Sequence, residues 1–233
     1  RRLVLEITGS KVLKKISNKS IIKSVDFSFK EGVNGLIGAN GAGKTTLMRL
    51  ITKYYKLSSG EIRINLENDT NLFDNETMYY DNLGYLPQDF RGISEFTVIE
   101  FLNYMKRAKN FSNKNNTVLE DLVDILSLDK FLKYKLKNLS GGTLRRVGVL
   151  QALINNPKIL ILDEPTAGLD PSERISLKNY LNDIAENRII IVSTHIIQDI
   201  EDIASNVVII DSGRVVLNEC VNKVVSSMNG KTW

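Results

Sequence analysis

The stretch GANGAGKT, Gly38 to Thr45, punctuates a short loop with glycines and ends it on a lysine and a hydroxyl residue. Glycines let successive backbone N–H groups turn toward one point as an anion nest, and a helix that starts there adds its positive end. Phosphate binding is the chemistry such a loop suits. Lys44 would set its charge against the β- and γ-phosphates of a nucleotide, and Thr45 would offer its hydroxyl to Mg2+. Gly38, Asn40, Gly41, Ala42, Gly43 and Thr46 complete the candidate cradle. A site that hydrolyses a nucleotide also needs a carboxylate for the metal and a group for the attacking water. ILILDEP supplies both: Asp163 ends an apolar run and suits the metal shell, while Glu164 is placed to act as general base or to orient water. Alone, an Asp-Glu pair after an apolar run is commonly a solvated strand end; the phosphate loop changes that reading.

The flanking elements fit this chemistry. VNGLIG reads as a buried strand running into the loop, and KTTLMRLITKYY as a helix leaving it, with Leu47, Leu50 and Ile51 on one face. RRLVLEI, SVDFSF and GEIRIN alternate as strands. LENDTNLFDNETMYYDN is polar and Asn-rich, and reads as a loop with one short strand. From FTVIEFLNYMKRA through TVLEDLVDILSL to DKFLKYKL the pattern is helical, after a linker at LPQDFRG. KILILDEP, RIIIVSTH and NVVIID are continuous apolar runs of strand length, as in a parallel sheet covered on both faces, with helices such as ERISLKNYLNDIAEN between them. The fold expected is α/β.

Composition narrows the class. The chain has 233 residues, 42% hydrophobic and 25% charged, with a net charge of +4, which suits one sizeable globular unit. So mild a positive balance does not by itself argue for nucleic acid or lipid. The single cysteine, Cys220, excludes an internal disulfide and suits a reducing compartment. No apolar run approaches the roughly 18 residues needed to span a bilayer, so the chain is expected to be soluble, with any membrane attachment supplied by another protein.

The motifs, in this order, resemble the ATP-binding cassette ATPases. IGANGAGKTT looks like their Walker A motif; LSGGTLRRVGVLQAL, Leu139 to Leu153, followed by ILILDEPTAGLD, Ile159 to Asp170, looks like their signature helix, Walker B strand and D-loop. LPQ puts Gln88 at the Q-loop position, and IVSTH puts His195, the chain's only histidine, at the switch position. The resemblance implies a P-loop core with a mostly parallel sheet, an antiparallel β subdomain and a helical subdomain. Within a single domain over residues 1–233, residues 1–88 and 156–220 would form the core with its β subdomain, and 89–155 the helical lobe. It implies ATP and Mg2+, and a head-to-tail dimer, expected to be of identical chains, with two ATP molecules at the interface. Gln88 would lie near the Mg2+ and the attacking water, His195 on the γ-phosphate, and Asp170 would reach across the dimer. Ser140, Gly141 and Gly142 would cap the partner's nucleotide, in keeping with an anion-binding helix start at which Ser140 also serves as N-cap. Two positions depart from the family pattern: Ile16 stands where an aromatic residue stacks on adenine, and Thr143 where glutamine is commonest.

Such cassettes divide into transporter subunits paired with integral membrane permeases and soluble machines acting on ribosomes or nucleic acid. Neither a second cassette nor a long coiled coil interrupts this sequence, and the stretch from Ser140 to Pro171 looks closest to the exporter subset. The expectation is therefore an ATPase at the cytoplasmic face of a membrane, with no direct nucleic-acid contact. By the resemblance its permease would dock near Gln88 to Phe96, where DFRGISEF sets aromatics expected to be exposed beside charges, a pattern that an ordinary loop fits equally well.

Overall fold

The computed structural model describes residues 5–66, 70–109, 116–221 and 223. Two sheets organise the chain. An antiparallel sheet of β1 (Glu6–Ile16), β2 (Lys19–Lys30), β4 (Ser59–Leu66) and β5 (Thr70–Asn71) has the order β2-β1-β4-β5. The larger sheet comprises β3 (Gly32–Ile37), β6 (Leu83–Leu86), β7 (Ile159–Asp163), β8 (Ile189–Thr194), β9 (Ala204–Asp211) and β10 (Arg214–Cys220), in the order β10-β9-β3-β8-β7-β6. All its pairs are parallel except β9 with β10. The expected strand at RRLVLEI begins at Glu6; residues 1–4 lie outside those described.

Alternation along the central strands shows why both faces must be covered. Ile159, Ile161, Ile189 and Ile191 pack toward the antiparallel sheet and α1 (Lys44–Ile51). Leu160, Leu162, Ile190 and Val192 pack on the other face with helices α3 (Val98–Ala108), α5 (Gly141–Leu153) and α6 (Pro171–Asp183). Every residue of β7 and β8 is buried, so these strands are legible as unbroken apolar runs rather than as alternation. The fold is the P-loop α/β architecture that the motifs imply.

Local signals set several helix starts. Thr97 and Glu100 form a capping box ahead of α3, and Asp170, Pro171 and Glu173 do the same for α6. Helix α5 lies against β6 at backbone distance: a Cβ on Gly84 would meet the Ala152 carbonyl at 2.1 Å, and one on Gly148 would meet Leu86 at 2.5 Å. A side chain at Gly84 would force the helix off the sheet, a strain of about 1–3 kcal/mol, whereas one at Gly148 would have to displace the Leu86 and Phe90 side chains.

Two segments differ from the sequence expectation. The Asn-rich stretch contains a helix, α2 (Glu76–Asp81), capped by the Asn75 side chain, which accepts from Met78 N at 3.1 Å. Tyr79 anchors it, fully buried, with its hydroxyl donating to the Ile51 carbonyl. The run DKFLKYKL is not a continuous helix. After α4 (Asn116–Ile125) the chain makes short 3-10 turns at Asp129–Phe131 and Leu136–Asn138, and it pairs with the segment before α3 through Leu136 N to the Phe96 carbonyl at 2.9 Å.

Candidate active site

The parallel sheet brings the candidate residues to one edge. β3 ends at Ile37 opposite Thr194, β7 ends at Asp163 opposite Ser193, and β6 ends at Leu86 opposite Leu162. The residues that follow these ends are the glycine loop, Glu164, His195 and Gln88, all at the carboxyl ends of parallel strands, where α/β proteins bind ligands. A cleft of about 320 Å3 opens there. Ala39–Gly41, Gly43–Thr46, Gln88 and Glu164 line it, and Ile21 from β2 closes one side.

Gly43 takes φ +116°, a value side chains rarely adopt, and stands as the N-cap of α1. Gly41, at φ +80°, has open space where a Cβ would be, so the outer side of the turn is free. Lys44 is 5% exposed, and its ammonium donates to the carbonyls of Gly38 at 2.6 Å and Ala39 at 3.3 Å. Its charge is thus held at the loop, satisfied by backbone oxygens.

Behind the loop runs a chain of hydrogen bonds. The Thr45 hydroxyl donates to Asp163 Oδ2 at 2.8 Å, and Ser193 Oγ donates to Oδ1 at 2.5 Å. Ser193 Oγ also accepts from Glu164 N at 3.0 Å, while Glu164 Oε1 lies 3.1 Å from His195 Nδ1. Thr45 and Asp163 meet with only hydroxyl and carboxylate oxygens, the donor set a hard cation such as Mg2+ prefers, so the residues present fit that metal. Glu164 sits at φ +50°, a left-handed conformation in a residue other than glycine. Its side chain is 13% exposed, against 47% for His195. Tyr85 on β6 adds a phenol whose pKa is pushed up to about 12 by burial first and by Asp163 second, so it stays neutral beside that carboxylate.

The signature residues lie elsewhere. Ser140 caps α5 by accepting from Thr143 N at 3.2 Å; it and Gly141 are exposed and do not line the chain's own cleft. Gly142 packs against the D-loop, where a Cβ would meet the Gly168 carbonyl at 2.3 Å. Asp170 is exposed, and its carboxylate accepts from Glu173 N and Ser172 Oγ, each at 2.8 Å. Ile16 ends β1 at 39% exposure and is not among the cleft residues. Sequence reasoning missed Ile21, Ala39, Ser193 and Arg145. Ser193 carried a signal, since it sits two residues before His195 at the end of a buried strand. Phe90 and Phe96 of DFRGISEF, expected to be exposed, are half-buried against Phe101 and Tyr104.

The family described as ABC transporter matches residues 22–167. The ABC transporter ATP-binding protein YdbJ of Bacillus subtilis (strain 168), itself called uncharacterized, is 32% identical over 91% of this chain and 68% of its own length. The Nod factor export ATP-binding protein I of Rhizobium meliloti is 32% identical over 87% of this chain and 61% of its own length. This chain thus spans roughly two thirds of these relatives. Among solved structures, the ATP-binding subunit of an ABC transporter superposes with a TM-score of 0.85 at 25% identity, covering 97% of this chain and 95% of the other. The dimeric bacterial ABC transporter cassette MJ0796 gives 0.77 at 25% identity, covering 92% and 98%. Fold and site define a P-loop nucleotide-binding protein. The chain belongs to the ABC transporter family, and it is the family's ATP-binding, ATP-hydrolysing cassette. Among the described residues, no helix is long and apolar enough to cross a membrane.

Proposed function

We propose that the chain hydrolyses Mg-ATP between two copies of itself and passes the resulting motion to a separate integral membrane permease, as the ATPase of an exporter. The observation that carries the catalytic part is the hydrogen-bonded chain Thr45–Asp163–Ser193–Glu164–His195 behind the phosphate loop. The loop N–H groups receive the phosphates, and Lys44 exchanges its two carbonyl acceptors for phosphate oxygens. Thr45, Asp163 and Gln88 would hold Mg2+, which when bound neutralises charge on the phosphates. Glu164 takes the proton of the attacking water, and ADP and inorganic phosphate are released. His195, at Glu164 Oε1, orients that carboxylate and reaches toward the γ-phosphate.

The dimer reading is supported by an α5 start that faces away from the chain's own cleft, with Ser140 and Gly141 exposed. A second copy placed head to tail would seat its nucleotide there, with Asp170 at the seam. Ile16 remains the candidate for the adenine edge, with Ile21 as a nearer apolar wall. The membrane partner and the export direction are supported by the family and by the name of the Nod factor export relative.

The test is to express tagged Glu164→Gln protein in its native cell, extract membranes in mild detergent with ATP and Mg2+, and identify the co-purifying chains by mass spectrometry. One polytopic membrane protein in stoichiometric amount is expected. Ribosomal proteins or nucleic acid, with no membrane partner, would overturn the permease reading.

A further inference from the structure

One guanidinium joins three parts of the site. Arg145 stands on α5, the helix that begins at the Ser140 cap, and is 7% exposed. Its Nε donates to the Glu164 carbonyl at 3.1 Å, and its Nη1 donates to the carbonyls of Pro87 at 2.7 Å and Gln88 at 2.9 Å. The third nitrogen, Nη2, is buried without a protein acceptor among the described residues. Glu164 needs such holding, because its left-handed backbone persists only where the surroundings over-determine it. Ser193 ties its N–H, through the carbonyl at 3.2 Å and the hydroxyl at 3.0 Å. On the carbonyl side Ala167 N donates at 3.2 Å, and the charged Arg145 donor is the stronger partner.

A buried cation facing carbonyls is a costly way to stabilise a helix against a sheet, and an apolar side chain would serve as well. The close approach at Gly84 and Gly148 already seats α5 on β6. What only a planar fork supplies is simultaneous purchase on two separate loops. We infer that Arg145 is a positioning residue for hydrolysis, fixing the backbones of Glu164 and Gln88 to the helix that carries Ser140. The glutamate is then set for water only while α5 is docked. This inference rests on the reading of Glu164 as the group that handles the water. The phosphate loop, Lys44 and Thr45 take no hydrogen bond from Arg145, so nucleotide binding is left to them.

The experiment uses the whole chain with Arg145→Met and Arg145→Lys, and Glu164→Gln in parallel. It measures Kd for a fluorescent ATP analogue, then kcat and KM for ATP. Arg145→Met should lower kcat about 10–100-fold while Kd and KM stay within about twofold. Arg145→Lys, whose single ammonium cannot span all three carbonyls, should fall in between; it decides the matter if the methionine variant does not fold, with a drop of about fivefold. The inference is overturned if both variants keep kcat within about twofold of wild type, or if Kd rises in step with the loss of kcat, as a purely structural role would give. Wild-type turnover by Glu164→Gln would instead remove the reading of Glu164, and this inference with it. An inactive Glu164→Gln beside fully active Arg145 variants sinks this inference alone.

Discussion

Lys44→Ala should weaken ATP binding by about 100-fold or more. Among the described residues that line the cleft, the ammonium is the one full positive charge offered to the phosphates. Charge-assisted hydrogen bonds contribute about 1.5–3 kcal/mol each, and two of them amount to at least two decades in Kd. The opposing effect is smaller. Losing the contacts to Gly38 and Ala39 removes two bonds to backbone carbonyls but also removes a buried charge, so stability should change by only about 1 kcal/mol. Equilibrium titration with ATP, alongside a thermal melt, separates the two. Unchanged affinity would mean that the loop does not hold phosphates through this residue.

Glu164→Gln should abolish turnover, by about 100-fold or more, while leaving ATP bound. The amide matches the carboxylate in size, is no worse suited to φ +50°, and can still meet His195 Nδ1. The backbone ties to Ser193 and Arg145 involve the main chain of Glu164 and survive the change. What disappears is the ability to take a proton from water. Phosphate release under saturating ATP and Mg2+ reads this directly, and a wild-type rate would remove Glu164 from the reaction.

Where local chemistry decided the structure, the sequence was enough. The loop glycines and the apolar runs of β7 and β8 need only nearest neighbours to act. The failures lie where distant partners win. The helix at Glu76–Asp81 hides in an Asn-rich stretch because burial of Tyr79 against Ile51 holds it, though Asn75 before Glu76 was a readable cap. DKFLKYKL keeps a helical pattern yet runs beside the segment before α3, whose backbone groups it satisfies. Within the site, Lys44, Asp163 and Glu164 announced themselves by type and spacing. Arg145 and Ile21 did not, because their roles depend on which backbone or cleft they face after folding. The family resemblance supplied Gln88 and His195, which lone residues in a strand-rich chain would not have singled out.

The proposed head-to-tail dimer requires the nucleotide to lie between two chains. The direct measurement is sedimentation velocity of Glu164→Gln protein with Mg-ATP and with Mg-ADP, repeated after adding Ser140→Arg. The expected result is a dimer in ATP, a monomer in ADP, and a return to monomer in the Ser140→Arg double variant, which still binds ATP because Ser140 does not line its own cleft. A monomer under all conditions, or a dimer indifferent to Ser140→Arg, would contradict it.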